Sequence, residues 1–145
     1  MNFNHETSGW NYLNRMIYTT LMNTEITQKL LTSLFQIPEE YRARLASIAE
    51  AGIKSSEKSS INSCIIDALE TYLDLPEGTQ SKPSLPKVPL RAFTVRTTPS
   101  LKQKISHCAA TWQIKSALPV SMNAVVNTAI LSYLQKTIPG YQPHF

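Results

Sequence analysis

The sequence predicts a mainly helical protein with two short strands, built from one unit used twice. Three observations carry that expectation. Residues 60–73, SINSCIIDALETYL, recur at 121–134 as SMNAVVNTAILSYL, with Ser60, Asn62, Ala68, Tyr72 and Leu73 matched by Ser121, Asn123, Ala129, Tyr133 and Leu134. The match extends backwards, because Tyr41, Leu45, Ile48 and Ala49 answer to Leu101, Ile105, Cys108 and Ala109. Before each first helix lies a short segment rich in β-branched or aromatic residues, LTSLFQI at 31–37 and RAFTVRT at 91–97. A unit of about fifty residues buries too little surface to be stable alone. The two copies are therefore expected to share one core within the 145 residues.

The elements follow in order. Residues 1–29 form an N-terminal extension in which Trp10, Leu13, Ile17 and Leu21 fall at helical spacing over 10–22. Met16 and Met22 are alternative starts that would leave the repeat whole. Repeat 1 spans 30–75. Strand 31–37 ends at Pro38, which can open a helix, and Glu39 and Glu40 suit the positive end of its dipole. That helix is expected to run to about Ala51, with Gly52 as its left-handed stop. A polar loop, 53–59, leads to Ser60, a good N-cap for a helix reaching about Leu75.

Residues 76–90 carry four prolines and read as an extended linker that contributes little to the fold. Repeat 2 spans 91–138. It has strand 91–97, Thr98 as N-cap with Pro99 behind it, a helix to about Trp112, a loop through Pro119, and a helix from Ser121 to about Thr137. Residues 139–145 are a tail.

Charge divides the chain. The first 77 residues hold six basic and ten acidic side chains, a net −4. From Gly78 onward there are eight Lys and Arg and no carboxylate side chain, a net +8. A long stretch without carboxylates points to a polyanion partner. Nothing in the chain reads as a membrane span or a secretory leader, so a cytoplasmic, nucleoid-associated location is expected. Cys64 and Cys108 fall at core positions of different helices and read as small apolar side chains. His5, His107 and His144 lack ligand spacing. There is no glycine-rich phosphate loop, no metal-ligand cluster and no nucleophile–base motif, so neither an enzyme nor a bound cofactor is expected.

Strand, proline-led helix, loop, and a second helix opened by Ser-x-Asn resemble the ribbon-helix-helix family of the Arc and MetJ repressors. The resemblance covers about 30–75 and 90–137. It implies that strand 31–37 pairs with 91–97 in a two-stranded antiparallel ribbon, giving a tandem ribbon-helix-helix pseudo-dimer in one chain. It also implies that the ribbon enters the major groove of double-stranded DNA. Single-chain tandem members serve as accessory factors in plasmid conjugation and T-DNA transfer, and this chain resembles them.

With Phe35, Ile37, Phe93 and Val95 turned inward, period two turns Leu34, Gln36, Ala92, Thr94 and Arg96 outward. Arg96 would take guanine O6 and N7, Gln36 adenine N6 and N7, and Thr94 or Leu34 a thymine methyl. The resemblance places DNA phosphates at the helix starts, Ser60 and Ser121, with Lys58 and Lys115 in the adjoining loops. Asn62 and Asn123 suit either phosphate contact or local capping. Arg42, Arg44, Lys102 and Lys104 read as solvated faces of the first helices. Leu34 departs from the polar character of such a ribbon, and the two strands differ, so a perfect palindrome is not the expected target. The competing class is a protein-interaction module such as an antitoxin, using the N-terminal helix or the acidic first repeat.

Overall fold

Three of the four helices open on a hydroxyl residue whose side chain does what a cap must do. A computed structural model describes residues 29–54, 60–76 and 78–145. The expected helix at 10–22 and Lys58 lie outside the described residues. Leu31–Phe145 form one compact unit. It contains strand β1 (Leu31–Pro38), helices α1 (Glu39–Lys54) and α2 (Ile61–Leu73), strand β2 (Leu90–Thr97), and helices α3 (Pro99–Ser116) and α4 (Met122–Thr137). The fold is thus mostly helical, with one two-stranded antiparallel sheet.

Ser60 Oγ accepts from the Ser63 N–H at 3.0 Å, and Ser63 Oγ accepts from the Ser60 N–H at 2.9 Å, a reciprocal capping box for α2. Thr98 caps α3 through the Leu101 N–H at 3.1 Å, with Pro99 in the first turn. Ser121 caps α4 through the Ala124 N–H at 3.1 Å. Two helix ends differ from expectation. Helix α1 continues through Gly52 to Lys54, because a glycine weakens a helix but does not end it unless the next turn also lacks support. Helix α3 runs past Trp112 to Ser116 and stops at Ala117, which adopts the left-handed region at φ 55° without being glycine.

The register pairs Thr32 with Arg96, Leu34 with Thr94, Phe35 with Phe93, and Gln36 with Ala92. One face of the ribbon is buried through Phe35, Ile37, Val95 and Thr97, with Phe93 half-buried. A single core then joins both repeats: Tyr41 and Leu45 of α1, Ile65, Leu69 and Tyr72 of α2, Leu101 and Ile105 of α3, and Val126, Ile130 and Leu134 of α4. Among the helices, α2 and α4 pack against each other most extensively. Burying an aliphatic side chain such as Leu45, Ile65 or Ile130 contributes about 1.5–3 kcal/mol, which shows why two small units hold together better than one. Cys64 and Cys108 are buried in this core and form no disulfide. No described helix is long and apolar enough to cross a membrane.

The segment between the repeats is not a passive tether. Gln80 donates from Nε2 to the Tyr72 carbonyl at 3.0 Å and accepts from Trp112 Nε1 at 2.7 Å. The Tyr72 hydroxyl donates to the Ser81 carbonyl. Pro83 is buried, and the Ser84 N–H donates to Thr128 Oγ1 at 2.9 Å. The linker therefore meets α4 at Thr128, a polar residue buried on the side of that helix away from Val126 and Ile130 of the core. The segment is thus anchored at Gln80, Ser81 and Ser84 rather than loose between the repeats.

Candidate nucleic-acid interface

A two-stranded ribbon has two edges, and each edge presents backbone N–H and C=O groups that no third strand will pair. This protein satisfies such groups at two chosen residues with asparagine side chains. Asn62, in the first turn of α2, accepts from the Arg96 N–H at 2.7 Å and donates from Nδ2 to the Arg96 carbonyl at 3.2 Å. At the other edge, Asn123, in the first turn of α4, accepts from the Gln36 N–H at 3.2 Å. Asn127, one turn on, donates to the Gln36 carbonyl at 2.9 Å. Each clamp joins the second helix of one repeat to the strand of the other.

The clamps set the geometry of the outer face. Leu34, Gln36, Ala92, Thr94 and Arg96 are all exposed there, as period two requires. Thr32 joins them, directly across from Arg96, and sequence reasoning missed it. The signal was present, since Thr32 continues the alternation of Leu34 and Gln36. Arg96 and Gln36 stand near opposite ends of this face, about 13 Å apart along the ribbon at roughly 3.3 Å per residue. Leu34, 67% exposed, sits at the centre beside Thr94.

The same clamps bring the start of α2 to the β2 edge and the start of α4 to the β1 edge. The caps serve the N–H groups of Ser63 and Ala124, leaving the earlier donors of each first turn pointing outward from the helix end. Neither helix has an acidic residue in its first turn, so no carboxylate of the helix itself opposes an anion there. Asn62 and Asn123 therefore have a role that neither earlier reading foresaw, because their side chains hold strand backbone.

Lys115 belongs to the last turn of α3 rather than to a loop, because the helix continues to Ser116. Its ammonium lies 5.2 Å from the centre of the Trp112 ring. On α1, Arg42 is engaged with Glu39, its Nε donating at 2.9 Å. The Arg42 guanidinium holds the Glu39 carboxyl below its usual range. Burial pushes the Cys108 thiol up and Tyr41 up to about 12. Among the described residues, no group of three or more His, Cys, Asp or Glu is placed to hold a metal ion.

No protein-family model matches the chain, and no curated protein or solved structure is significantly similar to it.

Proposed function

We propose that this chain is a sequence-specific double-stranded DNA-binding protein, a tandem ribbon-helix-helix pseudo-dimer that inserts its ribbon into the major groove. The observation that carries this reading is the exposed ribbon face bearing Thr32, Leu34, Gln36, Ala92, Thr94 and Arg96, flanked by two helices with no acidic residue in their first turns. Its role would be that of a transcriptional regulator or of an accessory factor at a plasmid transfer origin, acting at the nucleoid.

The repeat supports the pseudo-dimer. Matching Tyr41 to Leu101 makes Leu34 the counterpart of Thr94 and Gln36 the counterpart of Arg96. The register sets Leu34 against Thr94, so the approximate symmetry axis passes through that pair. Each asparagine clamp then has its partner across the axis. Side chains break the symmetry, with Arg96 answering to Gln36 and Ala92 to Thr32. In the groove, Arg96 takes guanine O6 and N7 at one end and Gln36 takes adenine at the other, with Leu34 against a thymine methyl between them. The free N–H groups at the starts of α2 and α4 hold phosphates on either side. The operator is accordingly two unlike half-sites rather than a palindrome.

Selection of bound duplexes from a random pool, followed by titration of the winner at 50 and 200 mM salt, tests the reading. The expected result is an enriched, asymmetric site whose affinity falls steeply with salt as phosphate contacts release counterions. No enriched site, or salt-independent binding, would go against it. A second reading, a protein-interaction module of the antitoxin kind, draws on exposed Asp67, Glu70 and Asp74, spaced along one side of α2. It would be favoured if no duplex were enriched.

A further inference from the structure

The two repeats each form a groove against the outer side of the first helix, and the grooves are occupied differently. On α1 the groove is lined by Glu40, Ala43, Arg44 and Ser47, and the chain's own tail lies along it. Tyr141 is buried there with the Arg44 guanidinium 5.9 Å from its ring centre. The His144 N–H donates to Glu40 Oε2 at 2.9 Å, and Phe145 meets Tyr41 with ring centres 5.8 Å apart. The protein thus shows what such a groove accepts: an extended segment with one aromatic ring beside a cation, whereas Phe145 lines a separate hollow with Thr128 and Leu131 of α4.

On α3 the corresponding groove is a cleft of about 670 Å³ whose lining includes Leu75, Gln80, Lys104, His107, Trp112 and Lys115. In repeat register Lys104 stands for Arg44 and His107 for Ser47. The chain leaving α2 forms one wall of this cleft through Leu75, Gly78 and Gln80, anchors through Gln80 on Trp112, and then crosses to Thr128 of α4, which leaves the cleft open. A volume of this size is typical of a ligand site. The chemistry has also changed. Ser100 replaces the Glu40 carboxylate, α3 has no acidic residue from Pro99 to Ser116, and Asp74 is the one carboxylate among the described residues lining the cleft. Lys104 and Lys115 lie about 16 Å apart along the helix at roughly 1.5 Å per residue.

The geometry points to this cleft as the docking site for an acidic, aromatic-bearing peptide segment of a partner protein. An aromatic side chain enters between Trp112 and Lys104, as Tyr141 lies beside Arg44, and the carboxylates meet Lys104, His107 and Lys115. Charge complementarity selects an acidic segment, and the occupied twin groove supplies the precedent for an aromatic ring beside a cation. The inference is independent of DNA binding.

The test uses the full chain without DNA and a displayed library of eight-residue peptides carrying one fixed Tyr, the residue that Tyr141 places beside Arg44. Asp and Glu should be enriched at the free positions. A labelled selected peptide should bind saturably in fluorescence anisotropy. Lys104→Glu, a change at an exposed position, should weaken it tenfold or more, whereas Arg44→Glu in the twin groove should leave it within about twofold. No acidic enrichment, no saturable binding, or affinity indifferent to Lys104→Glu would overturn the inference. Concentration-dependent dimerisation abolished by Lys104→Glu would also overturn it, by assigning the cleft to a second copy.

Discussion

Asn62 satisfies both backbone groups of Arg96 with one amide, and the arrangement links fold to function at a single residue. The guanidinium proposed to read a base hangs from a peptide held at 2.7 and 3.2 Å by another helix, so its origin is fixed before any ligand arrives. Asn62→Ala should cost about 1–2 kcal/mol, since two modest hydrogen bonds are lost and the edge groups turn to water. Urea unfolding measures this, and a change below about 0.3 kcal/mol would mean the clamp is incidental. The repeated asparagines were visible in the sequence, but their partners were not, because they lie 34 and 87 residues away along the chain. Cys108 offers a second check at this scale. Burial disfavours its thiolate, and Sγ donates to Gln80 Oε1 at 3.7 Å. In a Cys64→Ala background, its alkylation rate in the native protein should rise with pH around a midpoint above the usual thiol value of about 8.5. A midpoint at or below that value would contradict the burial assigned to it.

Among the elements, the linker departs furthest from what its composition announces. Four prolines correctly excluded a helix, yet proline content carries no information about whether an extended chain is anchored. Gln80 supplies the anchor, with bonds to the Tyr72 carbonyl and the Trp112 indole N–H. Gln80→Ala should therefore cost about 1–3 kcal/mol, because it leaves a half-buried indole N–H without its acceptor. Lys82→Ala, two residues on and exposed, should stay within about 0.5 kcal/mol. Equal effects in denaturant titrations would return the linker to a tether. The helix starts at Ser60, Thr98 and Ser121 were legible because a cap is a local interaction between residues three apart. The ends were less so. Gly52 invited a stop that α1 does not make, and α3 stops at Ala117, a left-handed position with no glycine to mark it.

For the molecule as a whole, the duplication made the architecture readable. Two copies of one apolar pattern, each too small to stand alone, imply a shared core, and Leu45, Ile65, Ile105 and Ile130 meet in one. The outward face of the ribbon was readable for the same reason, since period two needs only one buried residue per strand to fix the rest. Thr32 belongs to that face by alternation alone, whatever its likeness to a base-reading side chain. The groove on α3 was not readable, because it depends on where the chain goes after leaving α2.

The most direct test of the central claim is Arg96→Ala, compared with the unchanged protein on the selected duplex and on its single-base-pair variants. The account predicts that Arg96→Ala loses about 1–3 kcal/mol of discrimination at one base pair. It also predicts unchanged thermal stability, since the side chain is exposed. Unchanged affinity and unchanged selectivity at every position would contradict a ribbon that reads DNA through β2.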